Sequence, residues 1–317
     1  MSENVDVVVV GGGAAGLSAA VTLARARRSV RVVDDGTPRN APAAGVHGVL
    51  GQEGVSPLVL LERGRAELAG YGGSVLSGPA VAARRDGSGF VVTLADGTSV
   101  RARRLLVATG LTDELPDVPG LRERWGHDVL HCPYCHGWEV RDQPIGVLGT
   151  SARSVHQALL FRQWSDDVVL LQHTAPAPTD AEAEQLAARG VRVVPGIVTE
   201  VLVSEGRLSG VRLESGEVVA RSALTVMPRF VARLDGLAGL GLAAVPHETG
   251  VGEHTATDLT GASSVPGVWV AGNATDPMAQ VTGAMAAGTR AAAALNSDLI
   301  AEETDRAVAA ARAAAAR

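Results

Sequence analysis

Lysine is absent from this chain. All 28 basic residues are arginine, which excludes a Schiff-base lysine, a pyridoxal-phosphate anchor and the phosphate-binding lysine of a P-loop. Cysteine is scarce. Cys132 and Cys135 stand in one Cys-Pro-Tyr-Cys run and leave none for a structural disulfide framework, a usage that suits a reducing, cytoplasmic location. Positive charge is not in excess either: the formal net charge is −6 and no dense arginine run occurs, so no nucleic-acid partner is expected. Residues 7 to 24 carry no charge, but Gly11, Gly12 and Gly13 interrupt them, and Glu3 and Asp6 replace the basic flank of a signal peptide. No membrane partner is expected, and a buried strand, turn and helix fits this stretch better.

What is present is 317 residues with 46% hydrophobic content, enough for one large or two ordinary globular domains. Val5 to Val10 is a β-branched run with the pattern of a parallel strand buried on both faces. It enters Gly11-Gly12-Gly13-Ala14-Ala15-Gly16, a helix follows to about Ala26, and a second strand, Val30 to Val33, ends at Asp34 and Asp35. This is a complete β-α-β dinucleotide fingerprint. Gly11 permits the tight turn, Gly13 lets the backbone approach a pyrophosphate, Gly16 allows close helix packing, and Asp34 is the expected ribose partner.

A second unit of the same kind is expected in the middle of the chain. Ile145 to Leu148 reads as a strand, Gly149 to Ser154 as its turn, Ser154 to Trp164 as a helix and Val168 to Leu171 as the next strand. Its fingerprint is damaged: Ser151 stands where the second glycine belongs, and Gln172-His173-Thr174 supplies no arginine for a 2′-phosphate. The fold is expected to be retained and the nicotinamide site lost or weakened. Further on, Val265 to Ala271 reads as a strand and Val281 to Asp298 as an Ala-rich helix, with Glu302 to Arg317 as a solvated terminal helix.

Two thiols separated by two residues can form an exchangeable disulfide, and Pro133 suits a first helical turn whose N-terminus favours a thiolate. The same residues leave other chemistry open. Cys-x-x-Cys before His136 is also the sequence of c-type haem attachment, which requires export, and His131 or His136 could join the cysteines on zinc, for which no second Cys/His cluster is in reach; an inert pair is the remaining alternative. A metal site is therefore not expected. Substrate thiols must lose protons, and His136, or else His131, is the candidate base.

The fingerprint, the central Cys132-Pro133-Tyr134-Cys135 and the segment Gly267-Val268-Trp269-Val270-Ala271-Gly272-Asn273 occur in the order seen in low-molecular-weight thioredoxin reductases, which the chain resembles over nearly its whole length. The run from Cys132 to Glu139 is similar to one branch, the FAD-dependent dithiol oxidases that close disulfides in holomycin-like and gliotoxin-like natural products. The resemblance implies an α/β fold of two Rossmann-like domains: an FAD domain split into 1–113 and 244–317, and an inserted, degenerate nicotinamide-type domain, 114–243, that carries the Cys-x-x-Cys and is expected not to bind NADPH. It implies FAD held by Gly11, Gly13, Ala14, Ala15, Gly16, Asp34, Thr109, Gly110, Gly272, Asn273, Gln280 and Val281, with Asn40 and His47 inheriting flavin contacts. Asn273 replaces the family's aspartate there, and its amide oxygen can still accept from a ribityl hydroxyl. Cys132 is then the thiol attacked by substrate and Cys135 the flavin-facing one. The implied reaction oxidises a small-molecule dithiol and reduces O2 to hydrogen peroxide in a homodimer; the alternative is a disulfide reductase driven by NADPH or another donor.

Overall fold

The computed structural model describes residues 3–316, in two compact units. Unit 1 takes the chain up to Ala41, then Gly48–Thr112, then everything from Phe230 on; unit 2 is Pro42–His47 with Asp113–Arg229.

In unit 1, β1 (Glu3–Val10) runs into α1 (Ala14–Arg25), and β2 (Val30–Asp34) lies parallel to β1 with Val7 opposite Val30. After α2 (Pro57–Gly70) comes β3 (Ser74–Ser77), parallel to β2. The strands β4 (Ala80–Asp86), β5 (Gly89–Leu94) and β6 (Ser99–Val107) form an antiparallel meander, and β6 returns parallel to β1. The valine run of β1 is buried on both faces, as its composition requires: Val7 and Val9 pack among α1 residues such as Leu17 and Leu23, while Val8 and Val10 pack with Phe90 and Leu105. The chain leaves through β7 (Leu111–Glu114).

Unit 2 is built on a parallel sheet of β8 (Val129–Leu130), β9 (Ile145–Leu148), β10 (Val168–Leu171), β11 (Arg192–Val194) and β15 (Ala223–Val226), in the order β11-β10-β9-β15-β8. Its helices are the single turn α3 (Pro133–His136), α4 (Arg153–Phe161) and α5 (Asp180–Ala188); Thr179 and Glu182 close a capping box at the start of α5. An antiparallel sheet of β12 (Val198–Ser204), β13 (Arg207–Leu213) and β14 (Val218–Ala220) completes it. The expected helix Ser154 to Trp164 is shorter than anticipated, ending at Phe161.

The return to unit 1 begins with β16 (Arg229–Ala232), followed by β17 (Ala244–Pro246), β18 (Glu253–Thr255), β19 (Val268–Val270) and α6 (Val281–Ala315). β19 adds to β6, giving a seven-stranded sheet. The return lies at 229/230, earlier than the 243/244 boundary expected from sequence. The reason is packing: Phe230 is fully buried, Leu237 and Leu240 join the core around Phe90 and Ala83, and Arg233 N–H donates to Gly110 O at 3.0 Å.

The Ala-rich helix expected to stop near Asp298 continues unbroken to Ala315. Through Leu299 its apolar face packs within unit 1, where Ala284, Ala291, Ala292, Leu295 and Leu299 are buried against α1 and its neighbours. Beyond that, Arg28 and Arg103 both hold Glu303, at 2.5 and 2.6 Å, and bring its carboxyl down to about 2, while Arg104 holds Asp298 and Glu302. The helix is thus clamped at 298–303, where a solvated stretch was expected, and is exposed only after that; Arg317 lies outside the described residues. No described helix is long and apolar enough to cross a membrane.

Close contact between α1 and α6 depends on Gly288, where an added Cβ would lie 2.0 Å from Ala15 O. Gly288→Ala should therefore destabilise the protein by about 1–3 kcal/mol through overpacking. Gly283→Ala, whose Cβ would meet nothing nearer than Ala279 Cβ at 3.5 Å, should leave stability unchanged or raise it by up to about 1 kcal/mol. Denaturant melts of the two variants check the pair.

Candidate functional site

The dinucleotide cradle forms where β1 meets α1. Gly11 has φ +104°, open to glycine at little cost, and its Cβ would stand 2.4 Å from Ala108 O; a Cβ on Gly16 would stand 1.8 Å from Gly11 O. Both glycines are therefore required by backbone packing. Gly13 differs: it caps α1, and a Cβ there would meet nothing within 4 Å, so the space in front of the helix N-terminus, beside Ala14 and Ala15, is open for a phosphate.

Asp34, the last residue of β2, turns back to the glycines. Its Oδ1 accepts from Gly12 N–H at 3.0 Å and its Oδ2 from Arg65 Nη2 at 2.9 Å. Two partners fix the carboxylate without exhausting its acceptor capacity, so ribose hydroxyls can still be taken. The Gly12 contact and Arg65 on α2 were missed by sequence reasoning; the middle glycine of three was a signal for the first, since a Cβ there would fall 2.6 Å from Asp34 Cγ.

Neighbouring Asp35 has a different task. Burial raises its carboxyl, but Thr37 N–H and hydroxyl and the Arg233 guanidinium outweigh this and hold it below the usual range. Thr109 Oγ1 donates to Arg233 O at 2.5 Å and Gly110 has φ +71°, so both brace the crossing between strands. At the other edge Gly272, φ +77°, passes Ala15, whose Cβ an added one would meet at 2.8 Å. Asn273 Nδ2 donates to the carbonyls of Asp276 and Ala279 at 3.0 and 2.8 Å; this pins the loop before α6 and turns the amide oxygen into the atom available to a ligand hydroxyl. Gln280 caps α6 and Val281 opens it. Asn40 sits half-buried in a turn at Pro38–Ala41. These residues of unit 1 fit an extended dinucleotide with its phosphates at the start of α1.

His47 belongs to unit 2, where its Nε2 lies 3.5 Å from Glu139 Oε1. In that unit Cys132 caps the single helical turn α3, Pro133 occupies the first position as expected, and the Cys132 and Cys135 sulfurs are 2.7 Å apart. His136 follows directly. Burial pushes its imidazole below the usual histidine range, Glu139 pulls it back up and His47 pushes it further down. His131 precedes the pair, its carbonyl accepting from the buried Gln157 Nε2 at 3.2 Å. Tyr134 and Trp138, near the thiols in sequence, are exposed. Among the described residues no group of three or more His, Cys, Asp or Glu is arranged to hold a metal.

The second fingerprint has an occupant of its own. Ser154, buried on the first turn of α4, accepts through Oγ from Thr150 N–H at 3.1 Å and from Ser151 N–H at 3.4 Å. Those are the donors a phosphate would use. At the end of β10, His173 adopts φ +45° and its Nδ1 accepts from Val198 N–H at 3.1 Å.

A family model described as pyridine nucleotide-disulphide oxidoreductase matches residues 5–288. The chain belongs to that family. Pyridine nucleotide-disulphide oxidoreductases of the thioredoxin reductase-like kind are FAD-binding flavoproteins, and the cradle in unit 1 has the residues for that cofactor. Among family relatives, thioredoxin reductase sirT of Leptosphaeria maculans is 31% identical over 92% of this chain and 93% of its own, and thioredoxin reductase tcpT of Claviceps purpurea is 30% identical over 95% and 96%. Among solved structures, HlmI is 49% identical with a TM-score of 0.91 over 98% of each chain, and an oxidoreductase from Agrobacterium tumefaciens is 33% identical with a TM-score of 0.87 over 95% and 99%.

The contrast between the glycines is measurable. Gly13→Val, projecting into open space, should weaken FAD retention about tenfold or more with little change in the melting of the cofactor-free chain; Gly11→Val should unfold it. Flavin absorbance relative to protein, alongside the melts, checks both.

Proposed function

We propose that this flavoprotein oxidises a small-molecule dithiol to its disulfide and passes the electrons to O2, without NADPH. The observation that carries this over a reductase is the Ser154 hydroxyl, which already occupies the Thr150 and Ser151 N–H groups that a nicotinamide dinucleotide would need. His173, engaged with Val198, adds no cation for a 2′-phosphate. The 49% identity to HlmI over nearly the whole chain supports this reading.

The chemistry begins with Cys132 and Cys135 joined as a disulfide. A substrate thiolate attacks Cys132 Sγ and Cys135 leaves as thiolate; the second substrate thiolate then attacks the substrate's own sulfur in the mixed disulfide and expels Cys132 as thiolate. The product carries the new disulfide, and the enzyme dithiol carries two electrons and two protons. Bound FAD supplies the two-electron relay from this dithiol to O2, giving hydrogen peroxide overall. The part played by this chain's residues is to position the sulfurs and move protons. A thiol of ordinary pKa, about 8.5, is mostly protonated at neutral pH, and His136, kept neutral by burial, accepts its proton.

The relatives named thioredoxin reductase favour the opposite direction, from NADPH to a disulfide. Anaerobic mixing decides. A small dithiol should bleach the flavin and micromolar NADPH should not; rapid bleaching by NADPH alone reverses the assignment.

His136→Ala should slow dithiol-driven bleaching by about 10²-fold at neutral pH, recovering as pH rises and the thiols ionise unaided. Because burial lowers the folded pKa of His136, the neutral base persists down through the usual value of about 6.5, so the wild-type acid limb should fall below that pH. A His136→Ala rate and pH profile matching wild type would remove the imidazole from the reaction.

A further inference from the structure

The turn after the Cys-x-x-Cys helix holds a carboxylate and a second imidazole for which the disulfide chemistry above has no use. His47 comes from Pro42–His47, a six-residue segment that joins unit 2 although the chain on either side belongs to unit 1. It brings Nε2 to 3.5 Å from Glu139 Oε1. Glu139 in turn follows His136 by three residues in a continuous run of helix and turn, a spacing that puts two side chains on one face.

We propose that Glu139 is a positioning residue shared by His47 and His136: it supplies the counter-charge for the imidazolium formed when His136 accepts a thiol proton, and His47 competes with His136 for it. The origin of that proton rests on the dithiol chemistry proposed above; the sharing of the carboxylate does not. The step moves one proton, from thiol to imidazole, and leaves a thiolate, with no net change in charge. Its cost lies in placing a positive charge on a mostly buried ring, and a carboxylate nearby offsets that cost. The Glu139 side chain is 44% exposed and that of His47 23%.

His47 also sets a limit. A charge on the His47 ring would set two cations before one anion, and so opposes the charging of His136. The charges acting on His136 are those of Glu139 and His47, of opposite effect. Of the other groups around it, Cys135 is adjacent in the chain, Arg141 is stacked on the Trp138 ring at 4.1 Å with Nη1 on the Trp138 carbonyl, and Tyr134 meets Trp164 edge-on.

The test is a histidine titration of the FAD-loaded protein in its oxidised, disulfide form, where no thiol titrates, following the ring protons of His136 by NMR with His136→Gln to assign them. Glu139→Gln should lower the His136 midpoint by about half a pH unit or more, and His47→Gln should raise it by a similar amount. Intact flavin absorbance confirms that both variants are folded. A side chain with a merely structural role would not move the midpoint in opposite directions, so an unchanged midpoint, or shifts of the same sign, overturns the proposal. Dithiol-driven flavin bleaching read on the same samples keeps the two ideas apart: opposite shifts in a protein that no dithiol reduces would overturn the oxidase function and leave the shared carboxylate standing.

Discussion

Three backbone carbonyls in unit 1 lie where side chains would otherwise be. Gly16 approaches Gly11 O, Gly11 approaches Ala108 O and Gly288 approaches Ala15 O, each so closely that a single added carbon would fall 1.8–2.4 Å away. This contact of main chain with main chain draws α1 onto the sheet and α6 onto α1. The remaining features follow from it. With α1 seated there, its N-terminus opens at Gly13, Asp34 is brought back against Gly12, and Gly272 slides past Ala15 to aim the start of α6 at the same region.

Unit 2 shows the same scaffold put to another use. Gly149 is kept, for a Cβ there would meet Gln172 O at 2.5 Å, so the strand-to-turn geometry survives. What changes is the filling of the hydrogen-bond donors by Ser154. The cysteine pair sits at another edge, on the turn beginning at Cys132, with Gln157 of α4 holding the His131 carbonyl. One Rossmann-like unit thus leaves its helix N-terminus open at Gly13, while the other satisfies its donors internally and carries the cysteine pair.

The periodic features were legible in the sequence. Valine runs, glycine spacing and the acid after the second strand are local signals, and β1, α1, β2, β9 and β10 fall within a residue or two of where the pattern put them. The partners were not legible because they are fixed by tertiary approach. Arg65 reaches Asp34 across 31 residues and His47 reaches Glu139 across 92, and nothing in the local sequence of either pair announces the other. Ser154 was counted only as the end of a turn and the start of a helix, since a hydroxyl folding back onto two N–H groups leaves no periodic trace. The length of α6 was underestimated because the charges at 302 and 303 read as a solvated face, whereas they answer Arg28, Arg103 and Arg104 from distant strands and turns.

That clamp bears on how the cofactor is held. From Val281 to Glu302 the helix is a rod of about 30 Å at 1.5 Å per residue. Its far end is fixed by several guanidinium forks and its near end by Thr282 Oγ1 donating to Gly48 O at 2.8 Å. Loops that must order around a ligand surrender conformational entropy on binding, which weakens affinity. Ion pairs some 30 Å from the atoms they serve thus brace the α6 end of the cradle, which spares cofactor binding part of that cost.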